Sequence, residues 1–405
     1  MIKFNSPFHL CSGLEVIIKP AYKLHSVGFA LGIQYGASDD PAGKNGTAKL
    51  LQRTLYKVGK NLEDTLAENG MEYEAFTSYD ATVHGLRAPK GKVQEACDFL
   101  AALVSNYKIT NGAMKPEKMR TMEENAEMTD DAGHFGFNTL MKIMFGNSRA
   151  GIPTGGTNDT LESISADDLR RALLSDYTSD KMVLTIYGAT GFETALNAAA
   201  KSFAEVNSTY SPRKAAKEIP ITPVKSVELK REGITQTKFN LGLRTRGYFD
   251  NSRIYELPAL DCAVRILNER LFDEVREKRG LVYGAWAGNA ESNGFGFIAI
   301  SGGAEPEKMA EAKEVILEEL RKMRDGEISQ ADLDRVKMKA LIEEEGSLDD
   351  TLETASKVAY ERSVFGEGMF MLSDAARKLN LTQLRKTTAR YFNPDKVYSV
   401  FVEPK

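Results

Sequence analysis

The chain has 405 residues, of which 42% are apolar and 27% charged, with a formal net charge of −4. That composition describes an ordinary globular protein long enough for two or three domains, and the absence of any Lys/Arg run interleaved with aromatics argues against nucleic acid as a partner. No stretch approaches the roughly 18–20 apolar residues of a membrane helix, Met1 to Cys11 lacks the apolar run of a secretory signal, and Cys11, Cys97 and Cys262 are spaced as buried thiols rather than disulfides; the expectation is a cytoplasmic protein that does not engage a membrane.

Along the chain, the first clear strand is Val27, Phe29, Leu31, Ile33 and Tyr35, alternating with period two. Asn45 to Leu55 predicts an amphipathic helix with Asn45 or Thr47 near its start, Ala48, Leu51 and Leu55 buried, and positions 49, 52 and 53 on one face. A second helix opens at Lys92 and buries Val93, Ala96, Leu100 and Leu103. Further on, Leu169-Arg170, Tyr177, Asp180 and Lys181 precede an apolar strand from Met182 to Tyr187. Val206 to Lys225 then carries Pro212, Pro220 and Pro223 among polar residues, a composition that neither propagates a helix nor pairs inside a sheet.

Beyond that linker the same pieces return. Phe239, Leu241 and Leu243 repeat the alternating strand, and Leu260, Val264, Leu267 and Leu271 supply a covering helix. Met309, Ala312, Ile316 and Leu320, after Lys308, answer the stripe that follows Lys92. Leu384-Arg385, Phe392, Asp395 and Lys396 precede a closing strand from Val397 to Val402. The chain therefore reads as built twice. Each half runs strand, strand, long helix, strand pair, several helices and a final strand, and an apolar sheet face must be covered. The expected class is α+β: two similar domains, each a mostly antiparallel sheet covered on one face by helices, with boundaries at 1–209, a linker at 210–225, and 226–405.

The first predicted helix contains Gly46-Thr47-Ala48-Lys49-Leu50-Leu51-Gln52-Arg53. This frame resembles Gly-x-Ala-His-x-x-Glu-His, the inverted zinc motif of the insulinase and pitrilysin metallopeptidases. Gly13-Leu14-Glu15-Val16, Ala75-Phe76-Thr77-Ser78, Glu123-Glu124 and Arg276-Glu277-Lys278-Arg279-Gly280-Leu281-Val282-Tyr283 extend the resemblance over most of the chain in the family's order.

What the resemblance implies is a zinc ion held by two His and one Glu, with a further Glu activating water. Here both imidazole positions are cationic: Lys49 and Arg53 are not neutral nitrogen ligands at pH 7, and Gln52 lacks the proton affinity of a general base. Lys49, Gln52, Arg53 and Glu124 are thus the positions of a degenerate zinc site, with no catalytic residue and no metal expected in this chain. Two readings of them stand: an ion pair of Glu124 with the two cations in the metal's place, or a solvated helix face. None of His9, His25, His84 and His134 lies four residues from another, so no local His pair can replace the lost ligands.

In the two-chain members of this family, of which mitochondrial processing peptidase is the type, the subunit without zinc supplies an Arg and a Tyr to the peptide. The matching residues are Arg279 and Tyr283, on either side of a predicted helix-ending Gly280. The alternative is that Arg279 belongs to a solvated charge run and Tyr283 to the core. Ile266 to Leu271 lacks the glycine-rich loop that often accompanies substrate binding in this half, and Ala75-Phe76-Thr77 resembles the edge that pairs with extended peptide. The resemblance implies a non-catalytic subunit of a heterodimeric zinc peptidase. It would form half of a clamshell chamber around peptide substrate, with zinc only in an HxxEH-bearing homologous partner. A non-enzymatic scaffold of the same fold is the alternative, and an independent peptidase the third.

Overall fold

The structure is a computed structural model that describes residues 7–58, 62–105, 108–206, 208, 217–248, 256–366 and 376–405. Strands β1 (Phe8–His9), β2 (Glu15–Pro20), β3 (Ser26–Ile33), β4 (Glu72–Thr77), β5 (Thr82–Pro89) and β6 (Met182–Gly188) come from the first half. Strands β7 (Ser226–Arg231), β8 (Thr237–Thr245), β9 (Val282–Ser292), β10 (Phe295–Ala304) and β11 (Tyr398–Pro404) come from the second. The helices are α1 (Thr47–Val58), α2 (Leu62–Asn69), α3 (Val93–Ser105), α4 (Asn111–Asp130), α5 (Ala132–Phe145), α6 (Asn158–Ser163), α7 (Ala166–Asp176) and α8 (Phe192–Ser202), then α9 (Leu257–Arg270), α10 (Met309–Arg324), α11 (Gln330–Ser347), α12 (Thr351–Phe365) and α13 (Leu381–Tyr391). Among the described residues no helix is long and apolar enough to cross a membrane.

The chain forms two compact units that are discontinuous in sequence: residues 1–125, 153–214 and 343–371, and residues 126–152, 215–342 and 372–405. The sequence reading divided the chain once, at 210–225. The units instead exchange helices, since α5 from the first half belongs to the second unit and α12 from the second half belongs to the first. Residues 210–216 of the expected linker, Pro212 among them, lie outside the described residues.

In the first unit the sheet order is β1-β2-β6-β3-β5-β4, with β2 and β6 parallel and the other pairs antiparallel. Val27, Phe29, Leu31 and Ile33 point into a core filled by Leu51 and Leu55 of α1, Leu100 and Leu103 of α3, Leu169 and Leu173 of α7 and Ala195 of α8. Period two sends Ala30, Ile17 and Val183 to the opposite face, where α12 lays Ala355, Val358 and Ala359 on them. That helix lies close because β3 carries small residues on this side. A Cβ at Gly28 would fall 1.9 Å from the Thr351 carbonyl oxygen, and one at Gly32 would fall 2.6 Å from that of Ala359. Asp350 caps α12 by accepting from the amides of Leu352 and Glu353 at 2.9 and 3.0 Å, and Arg87 of β5 pairs with it at 2.6 Å. At the far end Arg362 Nη2 donates to Glu15 at 2.8 Å.

Among the described residues the second unit repeats this plan without a counterpart of β1. Its order is β7-β11-β8-β10-β9, again with one parallel pair, β7 and β11. Phe239, Leu241, Leu243, Ile298 and Ile300 join Leu260 and Leu267 of α9, Ile316 and Leu320 of α10 and Leu384 of α13 in one core. The exchanged α5 covers the other face, its Phe145 ring centroid 5.2 Å from that of Phe295, and a Cβ at Gly242 would meet Met144 Sδ at 2.3 Å. Two α+β domains of one topology are therefore present, each sheet carrying an additional helix on the face that the sequence reading left open. Cys97 and Cys262 are buried as expected, whereas Cys11 sits exposed in the turn between β1 and β2.

Candidate functional site

The first unit's site grows out of the start of α1. Asn45 and Thr47 do not cap this helix; Asp40, reaching in from the preceding loop, accepts from the amides of Gly46 and Ala48 at 2.6 and 2.8 Å, and Thr47 Oγ1 donates to the Lys44 carbonyl at 2.6 Å. Burial pushes the Asp40 carboxyl up to about 7, against the pull of those amides. Ala48, Leu51 and Leu55 are fully buried, which turns Lys49, Gln52 and Arg53 toward α4 and β4.

There Glu124 pairs with the two cations of the degenerate motif, and two further residues, Glu117 and Arg120, join them. Arg53 Nη1 donates to Glu124 Oε1 and Oε2 at 2.8 and 2.7 Å, and its Nε donates to Glu117 Oε2 at 3.0 Å. Lys49 Nζ stands 3.8 Å from Glu124 and Arg120 Nε 4.0 Å from the same carboxylate. The Arg53 and Glu117 side chains are 14% and 9% exposed, so that half of the set is enclosed, whereas Lys49, Glu124 and Arg120 at 25%, 34% and 64% border solvent. Burial works against the charge on Arg53, but its hydrogen bonds to Glu124 and Glu117 hold the guanidinium above its ordinary value. Burial likewise opposes ionisation of Glu124, and the Arg53 hydrogen bonds and charge outweigh it, leaving that carboxyl below its usual range.

Glu117 was missed by the sequence reading. Its signal was available, because seven residues, two helical turns, place it on the same face of α4 as Glu124. Beneath the cations Gln52, only 8% exposed, shares a wall with Tyr73 of β4, whose hydroxyl shares a 2.8 Å hydrogen bond with His84 Nδ1. His84 is fully buried and pushed down to about 3 by that burial, so it is the neutral imidazole, and among the described residues its Nε2 has no hydrogen-bond partner. Above these groups a cavity of about 380 Å³ is lined by Lys49, Arg53, Tyr56, Tyr73 and Phe76. Strand β4, which brings Tyr73 and Phe76, is the sheet's edge strand, and Phe76 is 41% exposed.

This donor set does not fit zinc. The two positions that carry imidazoles in the motif carry an ammonium and a guanidinium, and the remaining carboxylate is engaged by Arg53 on both oxygens. Among the described residues no group of three or more His, Cys, Asp or Glu side chains is placed to hold a metal ion.

The second sequence-predicted pair lies in the second unit. Helix α9 runs on into a π-helical segment, Leu271–Glu277, and the chain then turns at Gly280, whose φ of +58° is left-handed. Arg279, immediately before that turn, is half exposed with Nη1 3.9 Å from Glu311. Tyr283 is 60% exposed and not in the core, and its hydroxyl donates to Glu305 at 3.3 Å. The register slips here, Gly303 pairing with Gly284 but Ala304 with Val282, so Tyr283 is the extra residue of a bulge. Bulges of this kind re-aim a side chain. Trp286, 65% exposed further along the same edge strand, was not singled out from the sequence.

Two copies of one α+β plan, with a cation-filled version of the inverted zinc helix in the first, define an insulinase-type scaffold without the metal ligands. Sequence comparison agrees: residues 15–158 match the profile described as Insulinase (Peptidase family M16), and residues 163–340 match the one described as Peptidase M16 inactive domain. The chain belongs to the M16 peptidase family. An uncharacterized zinc protease, YmxG, of Bacillus subtilis is 24% identical over 337 residues, covering 80% of each chain. A probable mitochondrial-processing peptidase subunit beta of Schizosaccharomyces pombe is 26% identical over 199 residues, 48% of this chain and 44% of that protein. A protease from Helicobacter pylori superposes with a TM-score of 0.87 at 18% identity over the whole of both chains.

Proposed function

We propose that this chain is a non-catalytic subunit that pairs with a homologous, HxxEH-bearing subunit in the cytoplasm and forms half of a chamber around peptide substrate. The zinc belongs to the partner, and Arg279 and Tyr283 contribute to holding the peptide. The observation that carries this reading is the Arg53 guanidinium bridged to Glu124 and Glu117 at 2.7 and 3.0 Å, which leaves the degenerate motif without a zinc ligand set or a general base. The similarity to a protein named as a subunit of a processing peptidase supports a partnered state. The bulge and left-handed turn around Tyr283 and Arg279 support a role for that pair, because an Arg fork holds a carbonyl or carboxylate and a Tyr hydroxyl donates to a developing oxyanion.

A pure scaffold is the second reading. It is favoured by the internal partners of the same two side chains, Glu311 for Arg279 and Glu305 for Tyr283. Mixing the purified chain with a homologous chain that carries an intact motif separates the two. Peptide cleavage only in the mixture, reduced about ten- to a hundredfold by Arg279→Ala or Tyr283→Phe, supports substrate binding. Cleavage in the mixture that ignores both substitutions supports the scaffold, and cleavage by the isolated chain overturns both.

A further inference from the structure

In the second unit a cavity of about 740 Å³ opens beneath the extended segment 218–224, walled by Ile219, Pro220, Val224, Leu243, Tyr391 and Tyr398. That is the size of a small-molecule site, about 300–1,000 Å³. The lining also holds four cations, Arg244, Arg246, Arg390 and Lys396, against one carboxylate, Glu218. Arg390 is engaged by Glu256, and Arg246 stands 4.0 Å from Glu218. Arg244 stacks over the Phe145 ring at 4.1 Å and donates to the neutral carbonyls of Met144, Ile219 and Pro220 at 2.8, 2.7 and 3.3 Å, while among the described residues its buried Nε has no partner. Burial pulls this guanidinium below its ordinary value, Tyr398 and Glu218 acting weakly the other way. Among the described residues Lys396 has no ion pair, and Thr245 Oγ1 on the same wall is buried without a hydrogen-bond partner.

An apolar cavity with a surplus of uncompensated positive charge complements an apolar body with one anionic head. A peptide main chain would demand a donor or acceptor at each residue, and the Thr222 hydroxyl on this wall is already committed to the Ile143 and Met144 carbonyls at 2.9 Å. We propose that this cavity binds a medium-chain fatty acid, its carboxylate at Arg244, Arg246 and Lys396 and its hydrocarbon along Ile219, Leu243 and Tyr398.

Titration calorimetry of the full chain with dodecanoate tests this, with dodecanol and tri-leucine as comparators. One saturable site is expected, with the alcohol and the peptide each at least about tenfold weaker, the loss of a charge-assisted hydrogen bond. Arg246→Gln with Lys396→Gln weakens dodecanoate by a similar factor, and Val224→Trp, at a half-exposed position on the rim, blocks it while leaving the thermal midpoint unchanged. No dodecanoate binding, equal binding of dodecanol, tighter binding of tri-leucine, or an affinity that ignores all these substitutions overturns the assignment.

Discussion

Arg53 is the residue whose removal speaks most directly to what fills the metal's place. Arg53→Met keeps the alkyl stem along α4 and deletes the charge. Glu117, 9% exposed, then loses the Arg53 cation that pairs with it inside the fold, and breaking such a pair from one side costs about 3–5 kcal/mol. Glu124 is 34% exposed and can turn to water, so its share is discounted to below about 1 kcal/mol. A loss of about 3 kcal/mol follows, and at about 2–4 °C per kcal/mol for a unit of this size the first unit's midpoint falls by about 6–12 °C. Replacing Arg53 and both its partners, Arg53→Met with Glu117→Leu and Glu124→Gln, removes charge and counter-charge together and returns the stability to within about 1 kcal/mol of the parent. Calorimetric scans of the three proteins make the comparison. The reasoning is refuted if the single variant is as stable as the parent, or if the triple variant falls as far as the single one.

His84 supplies a pH test. Its folded value near 3 lies below the ordinary imidazole value of about 6.5, so between these limits the unfolded chain binds a proton that the folded chain does not. The His84 contribution is complete above about pH 6.5 and is lost as pH falls toward 3, at up to about 1.4 kcal/mol per pH unit; because the raised Asp40 carboxyl acts in the opposite sense over the same range, the difference in stability between the parent and His84→Gln in urea titrations across pH should show this slope. Gly28→Ala brings a methyl group against the Thr351 carbonyl, and displacing α12 is expected to cost at least about 1–3 kcal/mol, read as earlier amide exchange in β3 and α12. Restoring the motif by Lys49→His, Gln52→Glu and Arg53→His next to the native Glu124 is expected to yield a chain that binds one zinc ion in a dialysis titration; failure of the refolded variant to do so would show that Glu124 is misplaced for coordination.

The duplicated plan was legible because repeated spacings survive in sequence. Leu169-Arg170 through Lys181 and Leu384-Arg385 through Lys396 both became a capped helix, a short 3-10 turn and a central strand. The helix exchange was not legible. Gly28, Ala30 and Gly32 announce that something packs closely on β3, but α12, which packs there, lies over 300 residues away (351 − 28 = 323), and no local pattern names it. At the site, the three degenerate positions and Glu124 were readable from motif spacing. Glu117 was readable in principle from its two-turn spacing to Glu124 although no motif names it, whereas Asp40 was not, since it caps α1 from outside the helix. The depth of the Gln52, Tyr73 and His84 stack came only with the sheet, because strand pairing sets which alternate residues face α1.

Metal analysis of the isolated chain, after incubation with zinc and desalting, combined with hydrolysis of a fluorogenic peptide library, bears most directly on the loss of catalysis. The account predicts substoichiometric zinc and hydrolysis no faster than buffer. One tightly held zinc ion per chain, with hydrolysis that disappears on chelation and in Glu124→Gln, would contradict it.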